Sequence, residues 1–292
     1  MFQRALICTD LTDGIDRLLQ FVPSLTAGGI RYFVFFHNVA IETEREIPRI
    51  DDEAIESVQQ MFKERLRDVP AEAEAVIEVQ SGRSSDNILR LVQTYDIEVI
   101  FLGTPTRTLL EEKLFGSTTM RLSEKTTVPM IILRPQLIST YTTAELELRC
   151  SSLFRYLLVP YDGSDGADAL IDLIKQQVTS NPNSVLERCR LLWVIDDSIR
   201  RELQGDQPKI EAQARLDQVQ ADLAELGLVV NTSIQQGDPL EEIIKAATHH
   251  DIGAIATCSR GIGGFMKWSI PSLTRDILRR CWHPVLYFPT PK

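Results

Sequence analysis

No apolar run in this chain approaches the roughly 20 residues that a membrane helix needs. The N-terminus, Met1-Phe-Gln-Arg-Ala-Leu-Ile-Cys-Thr-Asp10, lacks a basic region followed by a long apolar region and a small-residue cleavage site. It reads as a first core strand, and a cytoplasmic location is expected. A basic excess is missing as well: 31 Lys and Arg stand against 41 Asp and Glu, a net charge of −10. Such a balance repels DNA, RNA and anionic lipid surfaces, and no Lys/Arg run with interleaved aromatics offsets it locally. Neither nucleic acid nor membrane is expected as a partner. Cysteine is sparse: Cys8, Cys150, Cys189, Cys258 and Cys281 are an odd number with no C-x-x-C, which suits buried thiols in a reducing compartment. The histidines, His37, His249, His250 and His283, form no metal-ligand spacing with them. Cys281-Trp-His283 comes nearest and reads as a core cysteine beside a strand-edge histidine, so no metal site is expected.

What is present is a repeat. A chain of 292 residues suits two domains of about 140 residues each. The stretch Leu153-Phe-Arg-Tyr-Leu-Leu-Val-Pro-Tyr-Asp162-Gly-Ser-Asp-Gly-Ala-Asp-Ala-Leu170 runs from an apolar strand pattern through an acidic turn into helical spacing. A weaker copy stands at Phe2-Gln-Arg-Ala-Leu-Ile-Cys-Thr-Asp10-Leu-Thr-Asp-Gly14. Asp10 and Asp162 are 152 residues apart, Gly82 and Gly237 are 155 apart, and Pro129 and Pro284 are again 155 apart. A nearly constant offset over three separated landmarks means two copies of one domain.

Each copy alternates strand and helix patterns. In the first, strands are expected at Ala5–Thr9, Arg31–Val39, Ala75–Val79, Val99–Gly103 and Met130–Arg134. Helices are expected at Gly14–Val22, along Ile55, Val58, Phe62 and Leu66, at Asp86–Tyr95, and at Ser117–Lys125. In the second copy the strands are Leu157–Tyr161, Arg190–Ile195, Val229–Gln235, Ala254–Thr257 and Val285–Phe288. Its helices are Ala167–Gln177, Ile210–Leu226, Pro239–His249 and Ser272–Arg280. Strands alternating with helices imply parallel strands joined by right-handed crossovers, an α/β doubly wound sheet. The expected domains are 1–135 and 153–292, with the polar, Ser/Thr-rich stretch 136–152 as a linker. Glu44–Asp52 and Ser198–Pro208 are charged loops between strand two and the long helix, which read as solvated connectors in preference to mobile lids.

Chemistry is concentrated after the fourth strand of each copy. In the first, Gly103-Thr-Pro-Thr106-Arg107 leads through an acidic loop to Gly116-Ser117-Thr118, where a helix opens. A helix start offers unpaired N–H groups and a positive dipole end, and glycine lets phosphate oxygens approach the backbone. An ordinary N-cap would look the same. In the second copy the loop runs Cys258-Ser-Arg260-Gly261 to Pro271-Ser272. Its glycines match neither G-x-x-x-x-G-K-[ST], because Lys267 is misplaced, nor G-x-G-x-x-G, because Met266 stands at the third glycine.

The paired loops, the Asp162-Gly-Ser turn after strand one and the two-copy layout resemble the universal stress protein family in its tandem form. Nucleotide-binding members of that family carry G-x-x-G-x9-G-[ST] after strand four. Gly103, Gly116 and Ser117 keep the spacing here, with Thr106 in place of the second glycine. Gly261 and Ser272 keep it in the second copy, with Cys258 and Pro271 replacing the other two glycines. The resemblance implies a five-stranded parallel sheet per domain, flanked by helices, the two domains pairing through their last strands as a pseudo-dimer. It also implies ATP or AMP as ligand, with Mg2+ as a candidate companion ion.

The first site would comprise Asp10, Gly103, Thr106, Arg107, Gly116, Ser117 and Thr118, and this is the copy expected to be filled. A second would comprise Asp162, Gly163, Arg260, Gly261 and Ser272. Thr106 resists the positive φ that glycine takes freely, and Pro271 removes one backbone donor. Those losses keep an alternative in play: a nucleotide-free scaffold acting by dimerisation and protein contact. No H-x-G-H or S-G-G-x-D-S signature, Ser/His/Asp arrangement or paired carboxylate acid is present, so no enzyme activity is expected. No residue offers itself as base for slow ATP hydrolysis or autophosphorylation. The expected partners are adenine nucleotide and an unidentified protein, the chain being a pseudo-dimeric monomer or a homodimer.

Overall fold

Short apolar runs rich in Val, Ile, Leu and Phe, each followed by turn residues, form ten strands among the described residues of the computed structural model. The structure describes residues 1–11, 14–40, 51–66, 68–104, 117–196, 207–259 and 272–289, leaving aside the side chains of Ser117 and Ser272. Two compact units divide at residues 151 and 152.

The first unit has β1 (Arg4–Thr9), β2 (Tyr32–Val39), β3 (Glu74–Ser81), β4 (Val99–Gly103) and β5 (Met130–Leu133) in the sheet order β3-β2-β1-β4-β5. All four pairings are parallel. Its helices include α1 (Val22–Ala27), α2 (Asp52–Arg65), α3 (Ser84–Thr94), α4 (Ser117–Lys125), α5 (Pro135–Thr140) and α6 (Thr143–Ser152). The second unit has β6 (Tyr156–Pro160), β7 (Arg188–Ile195), β8 (Val229–Gln236), β9 (Ala254–Cys258) and β10 (Val285–Phe288). Its order is β8-β7-β6-β9-β10, the same winding, again with parallel pairs. Its helices are α7 (Asp165–Ser180), α8 (Gln207–Ala224), α9 (Pro239–His249) and α10 (Ser272–Arg280). In each unit the strand order reverses beside the first strand, and there the carboxyl ends of an open sheet leave a crevice.

Helix starts follow local chemistry. Ser164 accepts from the Ala167 N–H to cap α7, and Asp238 accepts from the Glu241 N–H, with Pro239 in the first turn of α9. One expected helix is corrected. The apolar spacing over Gly14–Val22 predicts a single helix; the chain instead forms a 3-10 helix, Ile15–Gln20, and then α1. Pro23 has no N–H to extend a helix from the preceding turn, so the chain breaks at Phe21, whose N–H bonds back three residues to Leu18 O.

The stretch read as a linker carries α5 and α6. Thr142 and Glu145 form a capping box at the start of α6: the Glu145 carboxylate accepts from the Thr142 N–H (2.8 Å), and Thr142 Oγ1 accepts from the Glu145 N–H (3.3 Å). The carboxylate also accepts from the Thr142 hydroxyl (2.9 Å), and the backbone bond followed by this one holds the Glu145 carboxyl below its ordinary pKa. Arg17 donates to the carbonyls of Ile138 and Tyr141, tying this stretch to the 3-10 helix of its own unit. Most of the two charged connectors lies outside the described residues.

Candidate functional site

At the carboxyl ends of β6, β7 and β9, where the second sheet reverses its strand order, the turn after β6 walls one side of a cavity of about 740 Å³. Asp162 accepts the Ser164 N–H on Oδ1 (3.0 Å), so the carboxylate first serves its own turn. Gly163 has φ +71°, and a Cβ there would stand 3.0 Å from Trp193 Cη2. Trp193, on β7, meets Tyr161 edge-on with ring centroids 5.8 Å apart. The Tyr161 hydroxyl is 2.5 Å from Asp168; burial, followed by that bond and the nearby carboxylate charge, pushes its pKa up, so it stays a donor.

Across the cavity, β9 contributes Thr257 and Cys258, and α10 contributes Leu273 and Thr274. The Thr274 hydroxyl donates to the Cys258 carbonyl (3.3 Å) and the Cys258 thiol to the Gly166 carbonyl (3.2 Å). Thr257 is different. It is 4% exposed, and its hydroxyl has no hydrogen-bond partner among the described residues. A buried hydroxyl without a partner costs about 1–3 kcal/mol, and a ligand in the cavity would relieve that cost. The rim is mixed in charge: Asp162, Asp196 and Glu211 are acidic, and Arg215 is basic.

The first unit repeats the turn with different residues. The Thr9 hydroxyl accepts the Leu11 N–H (3.0 Å), and Leu11 takes φ +65°, the conformation of Gly163 in the second copy. Asp10 is exposed at the end of β1, Gly103 ends β4, and Thr118 lies in the first turn of α4. Next to Gly103, Thr104 also has a buried hydroxyl with no partner among the described residues. Leucine in the left-handed region costs roughly 1–2 kcal/mol. Leu11→Gly is expected to stabilise the first unit by about 1 kcal/mol, and Gly163→Ala to destabilise the second by about 1–2 kcal/mol. Paired urea melts of the two variants check both signs.

The structure therefore brings Asp162 and Gly163 to one cavity, with Ser272 at the start of the helix that borders it. Thr106, Arg107, Gly116, Arg260 and Gly261 lie outside the described residues. Trp193, Thr257 and Thr104 escaped the sequence reading. The available signal was a threonine at or just past the end of an otherwise apolar strand.

Two doubly wound sheets of one winding in one chain, each with an acid-bearing turn after its first strand, define a tandem α/β protein with a crevice at the strand ends of each unit. The chain belongs to the universal stress protein family, whose model matches residues 1–134 and again 154–289. It is 27% identical over 150 residues to the Bacillus subtilis (strain 168) universal stress protein YxiE, covering 46% of this chain and 98% of that one. A universal stress protein structure from Archaeoglobus fulgidus DSM 4304 matches with a TM-score of 0.63 at 19% identity, covering 97% of each chain. A Pseudomonas aeruginosa PAO1 protein of unknown function matches at 0.58 and 13% identity, over 98% of this chain and 92% of that one. At such identities these structures speak for the fold alone. Among the described residues no helix is long and apolar enough to cross a membrane, and no cluster of His, Cys, Asp and Glu could hold a metal ion.

Proposed function

We propose that this chain is a cytoplasmic stress-response regulator that binds AMP or ATP without turning it over, and acts through contacts with a protein partner. One observation carries the reading: a cavity of about 740 Å³, within the range of small-molecule sites, where a buried Thr257 hydroxyl has no partner among the described residues. The Trp193 ring is a surface on which a purine would stack, and Asp162, in the same lining, would offer its second carboxylate oxygen to a ribose. The acids of the rim disfavour phosphates beside them, so the phosphates belong toward Leu273 and Thr274 at the start of α10, with Mg2+ as their companion.

The sequence favoured a pocket at Asp10, whereas the described cavity supports the copy at Asp162. The reading accordingly shifts to the second unit and keeps Asp10, Gly103 and Thr118 as a second candidate.

Native mass spectrometry of the purified chain and calorimetric titration with AMP and ATP test it. The expected result is saturable binding in the micromolar-to-millimolar range, weakened by Thr257→Val, with no release of more than one ADP per chain. Absence of saturable binding at millimolar nucleotide would overturn the proposal and leave a nucleotide-free scaffold.

A further inference from the structure

A second cavity, about 570 Å³, lies on the α9 face of the second sheet, between α9 and the strands β7 and β8. In-register neighbours on parallel strands share a face, so Leu192 of β7 and Ser233 of β8 stand side by side there. Arg190 lies on the same face, two residues before Leu192. From α9 come Lys245, His249 and, at its C-cap, His250. Basic side chains thus gather around one groove in a chain whose net charge is −10.

A histidine at a helix C-terminus ordinarily helps satisfy the helix dipole, which favours its charged form. His250 behaves otherwise. Burial, then the positive charges of Arg190 and His249, push its pKa down, against the opposing pull of Asp251. The groove's one acid, Glu242, is engaged by Lys245 at 2.6 Å. Ser233 and Gln235, facing from β8, are neutral. Arg190 donates through Nε to the Tyr156 hydroxyl (3.1 Å), and no described residue accepts from its two terminal nitrogens. The guanidinium is oriented and its fork is unspent.

The repeat supplies an internal control. Strand register and helix ends match Val34, Glu78 and Tyr95 of the first unit with Arg190, Ser233 and His250 of the second. In the first unit the Tyr95 hydroxyl is 2.5 Å from Glu78, a bond that raises its pKa to about 12 and fills the position with a neutral donor and an acid. In the second unit the same position holds a guanidinium, an imidazole and a hydroxyl with no acid between them. The fold does not require this arrangement, because the other copy is built without it.

We propose that the groove between α9 and the β7–β8 face is an anion site that takes the phosphate group of a small ligand. Arg190 offers a two-pronged contact, His250 and Ser233 add donors, and Leu192 and Ala246 form an apolar floor for whatever the phosphate carries. Leu192 borders both this groove and the strand-end cavity, but Arg190, Ser233 and His250 line the groove alone, so the proposal does not depend on nucleotide binding at the strand ends.

The test follows the imidazole resonances of His249 and His250 in the full chain against pH, with millimolar inorganic phosphate or with chloride of equal ionic strength. Phosphate is expected to raise the His250 pKa by about one pH unit, since a facing anion favours the imidazolium. Arg190→Gln is expected to abolish the rise, and Lys245→Gln, at an exposed position, to reduce it without affecting folding. A tighter response to glycerol 3-phosphate than to inorganic phosphate identifies an organic phosphate using the apolar floor; an equal or weaker one identifies free phosphate. The proposal is overturned if phosphate moves His250 no further than chloride does, or if the full rise survives in both variants.

Discussion

Phe33→Ala is expected to lower the stability of the chain by about 3–5 kcal/mol, which for a unit of this size moves its melting midpoint down by about 6–20 °C. Phe33 sits in β2, the second strand of the first sheet, with no exposed surface, and stacks at 6.2 Å on Phe35 of the same strand face. Its in-register neighbours are Ala5 on β1 and Ala75 on β3. Two alanines flanking one phenylalanine mean that the ring alone fills that part of the layer. Neither neighbour can reach into the space its loss would leave, so the cavity term adds to the lost transfer energy. Leu148→Ala, at a leucine 68% exposed on α6, is expected to change stability by less than about 0.5 kcal/mol. Far-UV dichroism melts of the two variants give the comparison, and equal midpoints would contradict the assigned core.

Trp193→Ala is the second large effect, and it concerns ligand binding rather than folding. A base stacked on an aromatic ring is worth about 1–3 kcal/mol, so the variant should bind AMP roughly 5- to 150-fold more weakly by calorimetry. Trp193 is half-buried and packs on Tyr161 and Gly163, so some stability is lost as well. Trp193→Phe separates the two, because it keeps a stacking face of smaller area and should recover most of the affinity. If Trp193→Ala binds AMP as well as the parent does, the nucleotide does not occupy this cavity.

Much of the architecture was legible because it follows from periodicity. Buried parallel strands carry continuous apolar runs, and Val99–Gly103 and Val285–Phe288 begin and end where the pattern placed them. The break at Phe21 was also written in the chain, as Pro23, but the apolar spacing of Ile15, Leu18, Leu19 and Val22 masked it. The capping box Thr142-Thr-Ala-Glu145 announced α6, and its weak amphipathic pattern hid the helix that followed. The site was less legible for a different reason. Asp162 and Gly163 declare themselves by turn chemistry. Thr257 matters only because nothing reaches its hydroxyl, and Arg190 and His250 face one groove only because α9 crosses the β7–β8 face. Those are facts of three-dimensional neighbourhood, and spacing along the chain does not encode them.

The place of Trp193 on the cavity wall also gives the molecule a built-in optical reporter. Its three tryptophans, Trp193, Trp268 and Trp282, all fall in the second copy, so indole emission reports on that half while the first half is silent at those wavelengths. A ligand entering the strand-end cavity of the second unit would meet the chromophore directly. One occupying the pocket at Asp10 would leave the emission of the second unit's own cavity wall untouched, so the two copies can be read separately without any added label.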